Sequence, residues 1–195
     1  MKKQTIIILT VVILALVVIF AVVFMNKGDK TNLKPIESAE DLSALIKELY
    51  VGKEETLPPS VNTTIVDVTD ANAVKSATGL ENGDNLQFLA VSEPMISSQA
   101  YSLVLAKVKD GVDANEVTKA MSEKINPAKW ICVSAEKIYA TNSGDVVCLV
   151  MSSEEWAKPV YESFKTLAGT VGKEYEKTGA DFSANSLDLG EPKVQ

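Results

Sequence analysis

The sequence predicts an α+β protein: an N-terminal transmembrane helix, then one small domain with a mostly antiparallel sheet, core order β-β-α-β-β-α, and packed helices. Three observations carry this. Residues 5–25 are uncharged and, apart from Thr5 and Thr10, wholly apolar. Between residues 86 and 151, short β-prone runs come in pairs joined by turn-forming residues. Each pair is followed by an apolar stripe at helical spacing, first Val117 to Ile125 and then Trp156 to Val171.

The chain divides into a short polar head (1–4), a transmembrane anchor (5–25), a stalk (26–37), an α+β domain (38–171) and a loose, disordered tail (172–195). As a helix, residues 5–25 span roughly 31 Å, against a hydrocarbon core of about 30 Å. A cleaved signal peptide has a shorter apolar region, about 7–15 residues, ending at a small-x-small site. Here the run leaves through Val22-Val23-Phe24-Met25-Asn26-Lys27, with no such site and no nearby cysteine for lipid attachment. Lys2 and Lys3 precede the run, and Lys27, Lys30 and Lys34 follow it, so the positive-inside count alone favours the opposite orientation. The short head is nevertheless typical of a signal anchor, and large domains cross largely regardless of charge. The expectation is a single-pass cell-membrane protein with a cytoplasmic N-terminus and an extracytoplasmic domain.

After the stalk, Ser38-Ala39-Glu40-Asp41 resembles a capping signal, and Leu42, Leu45, Ile46 and Leu49 form a helical stripe. Leu57-Pro58-Pro59-Ser60 breaks regular structure, and Thr64 to Val68 is a short β-prone run. Asp70-Ala71-Asn72 caps a brief helix that stops near Gly79. Leu86 to Ser92 and Ala100 to Val108 read as strands, the second apolar on both faces and hence central. Asp113, with Glu116 three residues on, caps the next helix, which Pro127 follows. Trp130 to Ser134 is a short strand or a loop edge. Lys137 to Thr141 and Val146 to Met151 form a hairpin about Asn142-Ser143-Gly144-Asp145. Ser152 and Ser153 cap the last helix, with Glu155 as a box partner; Pro159 should kink it or delay its start. The echo between Asp70 to Ala77 and Asp113 to Ala120 marks two helix starts rather than a repeat.

Composition narrows the chemistry. Beyond Lys30 the chain holds 15 Lys against 25 Asp plus Glu, a balance near −10 that repels phosphate backbones and disfavours nucleic-acid binding. It has neither histidine nor arginine, the residues most used as general base and as bidentate phosphate clamp. Cys132 and Cys148 could form a disulfide in an exported domain; the plainer reading is two small apolar residues in neighbouring strands.

Three stretches stand out together: Tyr101-Ser102-Leu103-Val104-Leu105-Ala106-Lys107-Val108-Lys109-Asp110, Asn126-Pro127-Ala128-Lys129-Trp130-Ile131-Cys132-Val133, and Ser143-Gly144-Asp145-Val146-Val147 running into Met151. In combination they resemble a bacterial family of exported proteins, domain-of-unknown-function family 4358. The similarity spans roughly residues 38–170. It implies a signal or lipoprotein segment followed by one exported domain; this chain departs from it in lacking the lipid-bearing cysteine. It implies no activity, cofactor or catalytic residue.

Several motifs tempt and fail. Ser134-Ala135-Glu136-Lys137, Lys177-Thr178-Gly179 and Ser183-Ala184-Asn185 match the fragments S-x-x-K, K-T-G and S-x-N of penicillin-binding enzymes. The serine, however, leads into a strand rather than a helix, K-T-G falls in the tail, and the order is reversed. Cys132 as a nucleophile lacks a base; Lys129 is the close cation. Glu81-Asn82-Gly83-Asp84 offers oxygens to calcium without EF-hand spacing and reads as a polar turn.

The expected function is a non-catalytic binding or interaction module of the bacterial cell envelope. The alternative is an envelope hydrolase using Asp/Glu or Ser/Lys chemistry. No catalytic, cofactor-binding or metal residue is expected, and no cofactor. The expected partners are the membrane, through the N-terminal helix, and an unknown envelope protein or polymer. Trp130 and Lys129 are the candidate interaction surface.

Overall fold

The computed structural model of the chain describes residues 31–96 and 98–178. They form an α+β domain with one six-stranded, wholly antiparallel sheet and four helices. The elements are α1 (Ala39–Tyr50), β1 (Val61–Ile65), α2 (Ala71–Thr78), β2 (Leu86–Pro94), β3 (Ser102–Val108), α3 (Ala114–Lys124), β4 (Lys137–Ser143), β5 (Val146–Ser152), α4 (Glu154–Ala168) and β6 (Tyr175–Thr178). The strand order is β1-β2-β3-β5-β4-β6.

The expected N-terminal transmembrane helix is corrected. No helix among the described residues is long and apolar enough to cross a membrane, and residues 5–25 lie outside the described residues.

Alternation places the two cores. Along β3, Leu103 and Leu105 face one side and Val104 and Ala106 the other; β5 divides Cys148 and Val150 from Val147 and Leu149 in the same way. The first side is covered by α1 and α4 through Leu42, Ile46, Leu49, Val160 and Phe164. The second is covered by α2 and α3 through Val74, Val117, Met121 and the adjoining Ile125. Both central strands are therefore apolar on both faces over Leu103 to Ala106 and Val146 to Met151, because each face has its own helices to exclude water. Each fully buried aliphatic or aromatic side chain contributes about 1.5–3 kcal/mol.

Helix starts follow their caps. Ser38 and Asp41 form a reciprocal capping box at α1. Asp70 accepts from the amides of Asn72 and Ala73, and Asp113 from that of Asn115. Ser153 occupies the N-cap of α4 without a side-chain bond, while Ser152 ends β5 and donates to the Ala100 carbonyl. Helix α4 starts at Glu154, ahead of Pro159, so the proline does not delay it.

The two β-β-α units are not a repeat. Pairing β3 with β5 antiparallel, with β2 and β4 outside them, would need a two-fold axis normal to the sheet. Such an axis would leave α3 and α4 on one face, and they lie on opposite faces.

Three boundaries shift. Residues 31–36 are packed onto the domain rather than forming a stalk: the Asn32 amide donates to the Ala168 carbonyl, Leu33 packs on the first core and Ile36 is buried. The first strand is Val61–Ile65 rather than 64–68, paired with Pro94 to Ala90 of β2. The segment from Gly172, read as tail, returns to the sheet as β6 beside β4, fastened by the cross-strand ion pair of Lys137 with Glu176. Trp130 to Ser134 is loop.

Candidate functional site

At one end of the sheet, the β2–β3 connection and the α3–β4 loop meet. The α3–β4 loop is closed on itself, with the Ala135 amide donating to the Pro127 carbonyl and the Asn126 side chain accepting from Ala128. This holds Lys129 inward. Its ammonium lies 2.5 Å from Glu93 Oε1 and donates to the Ser102 hydroxyl at 3.3 Å and the Ser76 carbonyl at 3.4 Å. Only 13% of the Lys129 side chain is exposed, so one cation ties the ends of β2, β3 and α2 together. The ammonium also sits 5.4 Å from the Trp130 ring, a cation–π distance, and that ring packs against the second core.

The same end carries exposed apolar side chains: Met95 and Ile96 on the β2–β3 connection, Ile131 on the α3–β4 loop. Beside them a groove of about 390 Å³ runs between β1 and α2. Asn62, Thr64 and Val66 form one wall, the small residues Ala73, Ser76 and Ala77 the other, and Glu93, Met95 and Lys129 its upper end. The end is remote from residue 31: Thr31 bonds Ser143 at the opposite end of the β4–β5 hairpin, roughly 20 Å away at about 3.3 Å per strand residue.

The outer edge of β1 is open. Ser60 O accepts from the Met95 amide and Val66 N donates to the Leu89 carbonyl, so in this antiparallel register residues 60, 62, 64 and 66 turn their backbone groups to β2. Val61, Thr63 and Ile65 turn theirs outward. Among the described residues no backbone group pairs with them.

Of the residues singled out in the sequence, Lys129 and Trp130 lie at this end. The two cysteines do not come together as a disulfide. Both are free; Cys132 is exposed in the α3–β4 loop with a left-handed φ of 64°, and Cys148 is fully buried in β5. Burial pushes the Cys148 thiol far above its ordinary value. Lys137 opens β4 opposite Thr178 of β6, so S-x-x-K and K-T-G do meet at a sheet edge. Ser134 nevertheless precedes a strand, and the hydrogen bond to Glu176 holds the Lys137 ammonium above its ordinary range, the wrong direction for accepting a proton. Gly179 and Ser183 to Asn185 lie outside the described residues.

At the calcium-like turn, Glu81 is engaged by Lys75 at 2.8 Å and Asn82 accepts from the Asp84 amide. Among the described residues no group of three or more carboxylate, thiol or imidazole side chains is placed to hold a metal. Sequence reasoning missed Glu93 and the β1 edge. The available signal was the pair Met95-Ile96, two apolar residues in a connection where turn chemistry favours polar ones.

No protein-family model matches the chain, and neither a curated protein nor a solved structure matches it.

Proposed function

We propose that the domain is a non-catalytic binding module of the bacterial cell envelope, working on the extracytoplasmic side through the surface at the Lys129 end of the sheet. The observation that carries it is exposed Met95 in the lining of a groove, followed in sequence by exposed Ile96, with exposed Ile131 on the loop that the Lys129–Glu93 ion pair ties to the end of β2. Exposed apolar side chains beside a groove mark an interaction site. The protonated Lys137 and the lack of histidine and arginine weigh on the same side. The envelope setting draws on the sequence of residues 1–30 and on the resemblance to exported proteins.

The test is site-specific photo-crosslinking of the full chain in bacterial cells. A photoreactive residue at Met95 or at Ile131 should give the same discrete adduct. One at Lys119, exposed on α3, should not. No adduct from either site, or the same adducts from all three, would overturn the reading.

A further inference from the structure

We propose that β1 takes up an extended polypeptide with basic flanks as a seventh strand, its alternate side chains standing next to the groove between β1 and α2. This rests on the binding-module reading and names its partner chemistry.

Three observations support it. The first is hydrogen bonding: Val61, Thr63 and Ile65 each present an outward N–H and C=O. These are the groups that strand addition satisfies. Second, β1 lacks the usual guards of a sheet edge. Val61-Asn62-Thr63-Thr64-Ile65 contains no charge and no proline, and its pairing with β2 runs without a register shift. The opposite edge, β6, carries Glu176 and Lys177 in a four-residue strand. Third, the groove over β1 and β2 borders this edge: Asn62, Thr64 and Val66 line it together with Val91 and Glu93 of β2, so every second side chain of a pleated newcomer stands on the same face, next to it.

Charge selects the occupant. Asp67 and Asp70 lie two and five residues beyond the C-terminal end of β1, are exposed, and form no ion pair among the described residues. Hydrogen bonds from Thr69 hold the Asp67 carboxyl below its ordinary value, so it stays ionised. The balance near −10 beyond Lys30 adds a field of the same sign. A second copy of this chain would bring the same carboxylates to the edge. A neutral, β-branched segment with flanking lysines brings the complement.

The probe is the synthetic peptide Lys-Lys-Val-Thr-Val-Thr-Val-Lys-Lys, labelled and titrated with the full chain in detergent by fluorescence anisotropy. The expected result is saturable binding that weakens at least 10-fold when the central amides are N-methylated, and at least 10-fold when glutamates replace the lysines. Thr63→Pro should weaken it similarly, because the amide it removes points away from β2. If that variant fails to fold, the methylated peptide on the native chain decides. Equal affinity for the methylated or the glutamate peptide, or no binding at all, overturns the proposal. So does self-association that protects the Val61, Thr63 and Ile65 amides, since the occupant is then a second copy. If the peptide fails while adducts persist at Met95 and Ile131, strand addition alone falls; if both fail, the binding reading falls with it.

Discussion

Tyr101 donates its phenolic hydrogen to the Tyr50 hydroxyl across 3.0 Å, inside the core between α1 and the sheet. Burial pushes the Tyr50 phenol up to about 12, from an ordinary value of 10, and the bond from Tyr101 pulls it back only in part. A raised folded value gives stability that is complete below pH 10 and lost as pH climbs towards 12. Over that window the slope is about 1.4 kcal/mol per pH unit per group. Urea midpoints should fall much more steeply between pH 10 and pH 11 than between pH 8 and pH 10, and the drop above pH 10 should be smaller for Tyr50→Phe. Equal slopes would refute the assignment.

The Lys129–Glu93 pair is neither fully exposed nor fully dry, with 13% and 36% of the side chains accessible. Its coupling should therefore be about 1 kcal/mol, at the upper end for surface pairs. A double-mutant cycle with Lys129→Met and Glu93→Gln measures it by urea denaturation. Lys129→Met alone should cost about 1–2 kcal/mol, because Ser102 and the Ser76 carbonyl also lose a donor. Additivity within error would mean that the pair does not hold the two connections together.

Gly79 ends α2 at φ +78°, and a β-carbon there would press on the backbone of Lys124 and Ile125. Gly111 has φ +80° with open space around it. Gly79→Ala should cost about 2–4 kcal/mol, backbone strain plus displacement of α3, and Gly111→Ala about 1 kcal/mol, strain alone. Thermal melts of the two variants compare them directly. Equal losses would show that α2 and α3 do not meet so closely.

The two cysteines should label very differently. Under native conditions Cys132 should react with a maleimide and Cys148 should not; in denaturant both should react. Mass spectrometry of the intact and digested chain gives the answer. A native chain with no reactive thiol, gaining two only after reduction, would mean that the cysteines are bridged.

Much of the sheet was legible in the sequence because it is two-sided. The continuous apolar run Leu103 to Ala106 and the run Val146 to Met151 have one physical explanation, burial on both faces. The helix starts were legible because Ser38, Asp70 and Asp113 cap by local geometry. The edges were not. Val61-Asn62-Thr63-Thr64-Ile65 is polar on the side of the groove, and Tyr175-Glu176-Lys177-Thr178 reads as solvated until Lys137 reaches diagonally across to Glu176. Leu33 and Ile36 looked like stalk because their partners lie in α1, α4 and the sheet. At the candidate site Lys129 was visible, but Glu93 was not. Their pairing depends on two connections far apart in sequence reaching the same end of one sheet.

Amide hydrogen exchange, resolved residue by residue by NMR on the free domain, most directly tests whether β1 is an open edge. The Thr64 and Val66 amides, turned towards β2, should be protected, while those of Val61, Thr63 and Ile65 should exchange much faster. Uniform protection along Val61 to Val66 would mean that the edge is already covered, and strand addition at β1 would have no place to occur.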